Sequence, residues 1–197
     1  HPDSYLYSLH LGNAYSTNNK HNKAIKTLSR LKGNNEETAM LYETLGNSYK
    51  ANGNTKEATT TYKEGLDKFT ESAELNYRFG LVIKENDPSS ALNYMEKGIK
   101  YNPSISDYYY EAATLSSKLK ENIKTMIYAE IFINLEHNSE KTTEMSKLLL
   151  NTYSNSIHLN VSADFNANVS DETTAIANSI ESSFKSLNLT HSIYFIN

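Results

Sequence analysis

The chain has 197 residues, of which 38% are hydrophobic, with a formal net charge of −4 and no cysteine. Without cysteine, disulfides, thiol catalysis and cysteine–zinc sites are excluded, and a pI near 5.9 argues against a nucleic-acid grip, which draws on a basic face. A mean hydropathy of −0.61 is low for a compact globule and suits a thin array with much solvent-facing surface.

No stretch approaches the ~18 consecutive apolar residues that cross a bilayer, and no signal peptide is visible. The opening His1-Pro2-Asp3 lacks an initiator methionine, so the expectation is a processed product or a piece of a longer chain. The compartment stays open between bacterial periplasmic or exported and cytoplasmic. Heavy use of Asn, Lys, Ile and Tyr, with arginine only at Arg30 and Arg78, suggests an AT-rich genome and a bacterial source.

Helix pairs are expected at 3–17 with 21–33, 36–51 with 55–69, 71–85 with 88–101, and 104–118 with 121–135. Gly12, Gly46 and Gly80 recur at intervals of 34 residues, each behind a large apolar residue (Leu11, Leu45, Phe79). A second signature follows each glycine: Ala24 with Leu28, Ala58 with Tyr62, and Ala91 with Met95. Ala91 comes one residue early, so the turn from Glu85 to Pro88 has lost a residue. A worn fourth copy carries Ala112-Ala113 in place of the glycine, then Ala129 and Phe132, phased by Pro103. A small residue is needed where two helices cross closest, because a longer side chain would push their backbones apart. One such unit cannot bury its apolar face alone, whereas three or more in a row can.

These residues resemble the tetratricopeptide repeat (TPR) family, whose pattern couples Leu-Gly-x2-Tyr to a later Ala-x3-Phe and a proline. The usual tryptophan position departs from that pattern, holding Ser8, Tyr42, Asn76 and Tyr109. The resemblance implies an all-α, right-handed superhelical solenoid of about four helix pairs plus a capping helix, to which the pattern of the last residues adds a short α/β segment at the C-terminal end. Repeats fall at about 5–38, 39–72, 73–105 and 106–138. A ninth helix at 139–154, opened by Ser139 with Met145, Leu148, Leu149 and Tyr153 as its apolar stripe, caps the array and completes a unit over 1–154.

The tail 155–197 changes character. Ile157, Leu159, Val161, Ala163 and Phe165 alternate with mostly polar residues, which is a strand period. Asp171 then opens an amphipathic helix with Ile176, Ile180, Phe184 and Leu187 on one face, and the run 191–197 reads as a second strand. Such a strand–helix–strand tail is too small to hold a core alone. It packs on the last repeats, fills the groove of the array, pairs with another copy, or begins a second domain continuing beyond Asn197.

Catalytic signals are missing from the sequence. His1, His10, His21, His137, His158 and His191 show no ligand spacing, so no metal is expected. There is no phosphate-binding glycine loop and no nucleophile elbow, so no cofactor and no enzymatic activity are expected. Sequons at Asn160, Asn168 and Asn188 are read as chance in an Asn- and Ser-rich tail.

The functional surface implied by the resemblance is the concave groove lined by the first helix of each repeat. Leu6, Leu9, Asn13, Met40, Glu43, Asn47, Lys50, Glu74, Tyr77, Leu81, Lys84, Tyr110 and Thr114 occupy its lining positions. Asn13, Glu43, Asn47, Glu74, Tyr77 and Tyr110 are the expected peptide-binding residues. Of Tyr108, Tyr109 and Tyr110, register assigns Tyr109 to the core and at most Tyr110 to the groove. The carboxylate clamp of the chaperone-binding members keeps only Asn13 and Arg78 here. Leu9, Thr44 and Glu74 replace its other members, so chaperone-tail binding is rejected.

The reading is a non-enzymatic scaffold that binds a protein or peptide segment in its groove, with a ligand carrying Lys or Arg favoured by Glu43 and Glu74. Two alternatives stand beside it. One is the docking or regulatory part of a larger enzyme or regulator. The other is a self-associating structural protein, a homo-oligomer.

Overall fold

The computed structural model describes the backbone of residues 4–164 and the side chains of residues 4–156. Among the described residues the structure is helical throughout: α1 (Tyr5–Thr17), α2 (His21–Ser29), α3 (Ala39–Ala51), α4 (Thr55–Lys68), α5 (Ala73–Ile83), α6 (Pro88–Tyr101), α7 (Ser106–Lys118), α8 (Asn122–Leu135) and α9 (Glu140–Asp164). Each helix packs on its neighbours in sequence, and first helices also meet one another, α1 on α3, α3 on α5 and α7 on α9. The core is a chain of three linked clusters rather than one ball.

The recurring glycines sit at the crossings. A Cβ on Gly12 would lie 2.3 Å from Leu28 Cδ2, one on Gly46 2.3 Å from Tyr62 Cε1, and one on Gly80 2.9 Å from the Ala91 carbonyl oxygen. In the fourth pair Ala113 and Ala129, both fully buried in one core cluster, occupy the corresponding positions. The partners Leu28, Tyr62 and Met95 belong to the second signature of the repeat. The two halves of the sequence motif are thus the two sides of one helix crossing.

Turn chemistry follows the same register. Asn19, Gly53 and Lys120 have φ of 56°, 82° and 60° at the same place in the first, second and fourth intra-repeat turns. The third turn, one residue short, has no residue of positive φ among 84–87. Asp87 caps α6 by accepting from the Ser90 N–H at 3.0 Å, with Pro88 at the first helical position. Ser72 caps α5 through the Leu75 N–H. Ser139 does the same for α9 through the Thr142 N–H at 3.2 Å.

The expected strand from Ile157 to Phe165 is overturned over its described part, because α9 continues as helix to Asp164. Alternation over so short a run also contains a four-residue spacing, Tyr153, Ile157 and Val161, which suits a helix equally. No glycine or proline stands between Glu140 and Asp164 to stop a helix already begun. Helix α9 therefore runs through position 155, where the change of character was expected. Phe165, the amphipathic run from Asp171 and the strand-like 191–197 lie outside the described residues.

Gly46→Leu should drive a side chain into the Tyr62 ring and cost about 1–3 kcal/mol by overpacking. Gly53→Ala, with nothing within 4 Å of the added methyl, should cost about 1 kcal/mol through its positive φ alone. Thermal melts of both variants check this. A Gly46→Leu protein that melts like the parent would remove Gly46 from the crossing.

Candidate functional site

The side chains with the most varied chemistry gather where the first helices α3, α5, α7 and α9 present adjacent faces. At its centre lies Asn47, a partly exposed residue one position beyond Gly46. The fully buried Tyr62 sends its hydroxyl out past that glycine and donates to Asn47 Oδ1 at 2.7 Å. This bond fixes the amide orientation, so its Nδ2 group keeps two donors for something else. Asn13, one repeat earlier, is also partly exposed. Its crossing partner is Leu28, which has no hydroxyl to hold it.

Glu43 and Glu74 flank Asn47. Glu74 is fully engaged: Arg78 Nε donates to its Oε1 at 2.6 Å and the Tyr108 hydroxyl to its Oε2 at 2.8 Å. Glu43 accepts only from the Ser72 hydroxyl, at 2.9 Å. Burial pushes the Glu43 carboxyl up, the Ser72 bond opposes this, and the nearby Glu74 charge adds to the rise. Lys50, two turns along α3 and exposed, is lowered from the ordinary lysine value by partial desolvation and then by the like charges of Arg78 and Lys84, which the nearby Glu111 opposes. Lys84 itself pairs with Glu111 at 2.8 Å.

Tyr77 and Tyr110, expected on one surface, are engaged at different junctions. Tyr77 is 7% exposed, with its ring 4.3 Å from that of Tyr108 and the Arg78 guanidinium 5.6 Å from its centroid. It has little apolar area left to offer a ligand. Tyr110 lies on Phe132 at 5.5 Å, and its hydroxyl donates to Glu144 of α9 at 2.7 Å. That bond and burial push the Tyr110 phenol up to about 12. Leu9, a lining position by resemblance, is buried in the first core cluster.

Sequence reasoning missed Tyr108. It stands where Leu41 and Leu75 stand in earlier repeats, so the register marks a buried side chain there. A tyrosine at that position is long enough for its hydroxyl to leave the core and reach Glu74. Tyr109 is buried as expected, its hydroxyl donating to the Pro103 carbonyl at 3.0 Å.

Away from this face, a cavity of about 240 Å³ lies among Lys32, Tyr49, Lys56, Glu57, Thr60, Thr61 and Glu64. Lys32 and Glu64 pair with each other there. Among the described residues no His, Asp or Glu cluster is arranged to hold a metal, and no helix is long and apolar enough to cross a membrane.

No protein-family profile matches the chain, and no curated protein matches it. Solved structures match its fold. A structure of MamA (AMB-1) superposes with a TM-score of 0.65 at 13% identity, covering 87% of this chain and 97% of that one. A second MamA structure gives 0.63 at 18% identity, over 74% and 84%. A tetratricopeptide repeat protein from Parabacteroides merdae gives 0.64 at 16% identity, over 77% and 60%. At such identities the likeness is one of fold: the chain is a TPR-like helical solenoid.

The environment of Glu43 makes stability pH-dependent. Its carboxyl is raised above 4.5 in the folded chain, so the folded state holds that proton to higher pH than the unfolded state does. The contribution of Glu43 to stability therefore falls as pH rises through this window. Glu43→Gln removes the effect, and the parent should lose stability relative to the variant as pH rises from the ordinary glutamate range toward neutrality. Melts across that range read the difference directly. Parallel curves would mean that Glu43 is as well solvated folded as unfolded.

Proposed function

We propose that the protein is a non-enzymatic scaffold whose first-helix face is the concave side of a right-handed superhelix and holds an extended protein or peptide segment. The observation that carries this reading is the Asn47 amide. Its oxygen is tied back to Tyr62, and its nitrogen is presented outward in a fixed orientation. A donor held ready in this way suits a peptide carbonyl and costs little to order on binding.

Asn13 repeats the same chemistry one unit away, which suits a ligand that runs along the array. Glu43 and Glu74 lend the face negative character. Tyr77 and Tyr110 contribute less by direct contact than by holding Arg78 and the α7–α9 junction in place. Carboxylates and hydroxyls on this face are joined across helices, an arrangement that stiffens a surface and leaves few groups unpaired for acid–base work. MamA and the Parabacteroides repeat protein support the reading only through their shared solenoid architecture.

Asn47→Ala is a poor test, since it also strands the buried Tyr62 hydroxyl. Asn47→Asp keeps the acceptor for Tyr62 and deletes the donor. A random peptide library selected on the full chain supplies the probe, and fluorescence anisotropy of a selected peptide supplies the affinity. Asn47→Asp should weaken it about tenfold, close to 1.4 kcal/mol, and Asn13→Ala by a smaller factor. Lys63→Ala, on the exposed side of α4, should leave it unchanged. A peptide that binds all three variants like the parent would move the site off this face.

A further inference from the structure

Among the described residues the charged groups that α5 and α7 bring to the first-helix face are paired with charges of opposite sign, and those of α3 are not. Glu74 is held by Arg78 and Tyr108. Glu111 is held by Lys84 and Asp107 by Lys141, while Glu144 on α9 has the neutral Tyr110 hydroxyl. Two charges are left over on α3. Glu43 has one neutral hydroxyl as its partner, and Lys50 makes no hydrogen bond or ion pair among the described residues.

The leftover charges are placed with geometry. Seven residues is two helical turns, so Glu43 and Lys50 share one face of α3, their Cα atoms separated by about 10.5 Å along its axis. Asn47 lies between them on the same stripe. The order along α3 is carboxylate, amide donor, ammonium. The helix dipole favours a cation in the last turn and so accounts for Lys50. It does not account for Glu43, which sits in the second turn, is partly desolvated, and faces the Glu74 carboxylate with Arg78 already committed to Glu74.

Resting on the reading that this face binds an extended segment, we propose that the segment carries a cationic and an acidic side chain three or four residues apart. The cation sits at Glu43 and the acid at Lys50. A polyproline-like segment rises about 3.1 Å per residue and repeats its face every three residues, so this spacing spans the α3 couple. The couple also fixes the direction of the bound chain, since reversal would set like charges together. Binding would relieve both groups: a cation at Glu43 replaces lost hydration, and an anion at Lys50 joins Glu111 in offsetting Arg78 and Lys84. Glu43 and Glu74 favour a basic ligand; Lys50, without an ion-pair partner among the described residues, adds an acid at a defined distance.

The test is selection of a random twelve-residue peptide library, capped at both ends, on the full chain and on the swapped variant Glu43→Lys/Lys50→Glu. Circular dichroism verifies that the variant is folded. The parent should enrich peptides with Lys or Arg and Asp or Glu at the stated spacing in one order, and the swapped variant should enrich the opposite order. Should the swap not fold, Glu43→Gln preserves shape and the Ser72 bond. It should weaken the parent's peptide about tenfold and leave unchanged the affinity of a version with methionine in place of the cation. Enriched peptides that lose binding with Asn47→Asp but carry no charge couple would overturn this proposal and leave the groove reading standing. Absence of any enrichment would overturn the groove reading itself.

Discussion

The closeness of α3 to α4 at Gly46 is the constraint on which the rest depends. With no side chain there, the Tyr62 ring lies where a Cβ would otherwise be. The ring fills the space between the helices, and its hydroxyl emerges at Asn47. One contact thus closes the repeat and orients the amide at the centre of the candidate site. The same crossing recurs with Leu28 on Gly12 and Met95 on Gly80, but only Tyr62 adds a polar tip. Repetition supplies the frame, and a local departure from it supplies the chemistry.

Between repeats the array is tied by polar pairs that span one unit of sequence. Ser72 with Glu43, Tyr108 with Glu74, Lys84 with Glu111, and Tyr110 with Glu144 all join adjacent first helices. Partly exposed pairs of this kind each contribute about 0–1 kcal/mol. Their larger effect is angular, because each fixes how one helix pair sits against the next. Nearest-neighbour coupling is how such arrays gain cooperativity, and here it consumes most of the charge on the first-helix face. What is left unpaired on α3 stands out for that reason.

The architecture was legible because its cause is periodic: a glycine and its crossing partner must recur together, and both recur in the sequence. The one-residue deletion before Pro88 was legible too, and it reappears as a turn lacking a positive-φ residue. A second set of small residues passed unnoticed. Gly65 meets Tyr42 within the second repeat and Gly98 meets Ala73 within the third, a register that only two copies carry. The strand expected from Ile157 onward failed over its described part because alternation and four-residue spacing coincide in a short run. At the candidate site, position in the repeat put Asn47 and Glu43 on one stripe of α3. It could not separate the nearly buried Tyr77 from an available one, since that depends on Tyr108 arriving from the next repeat. Pairing across repeats is a property of side-chain length as well as register, and sequence periodicity alone does not encode it.

The central claim is that a segment lies along the α3 stripe and takes a hydrogen bond from the Asn47 amide. Nitrogen-15 chemical-shift mapping during titration with a library-selected peptide tests this most directly. The account predicts that the Asn47 side-chain amide shifts strongly, along with backbone amides of α3 and α5. Perturbations confined to α2, α4, α6 and α8, with the Asn47 side chain unmoved at saturation, would contradict it.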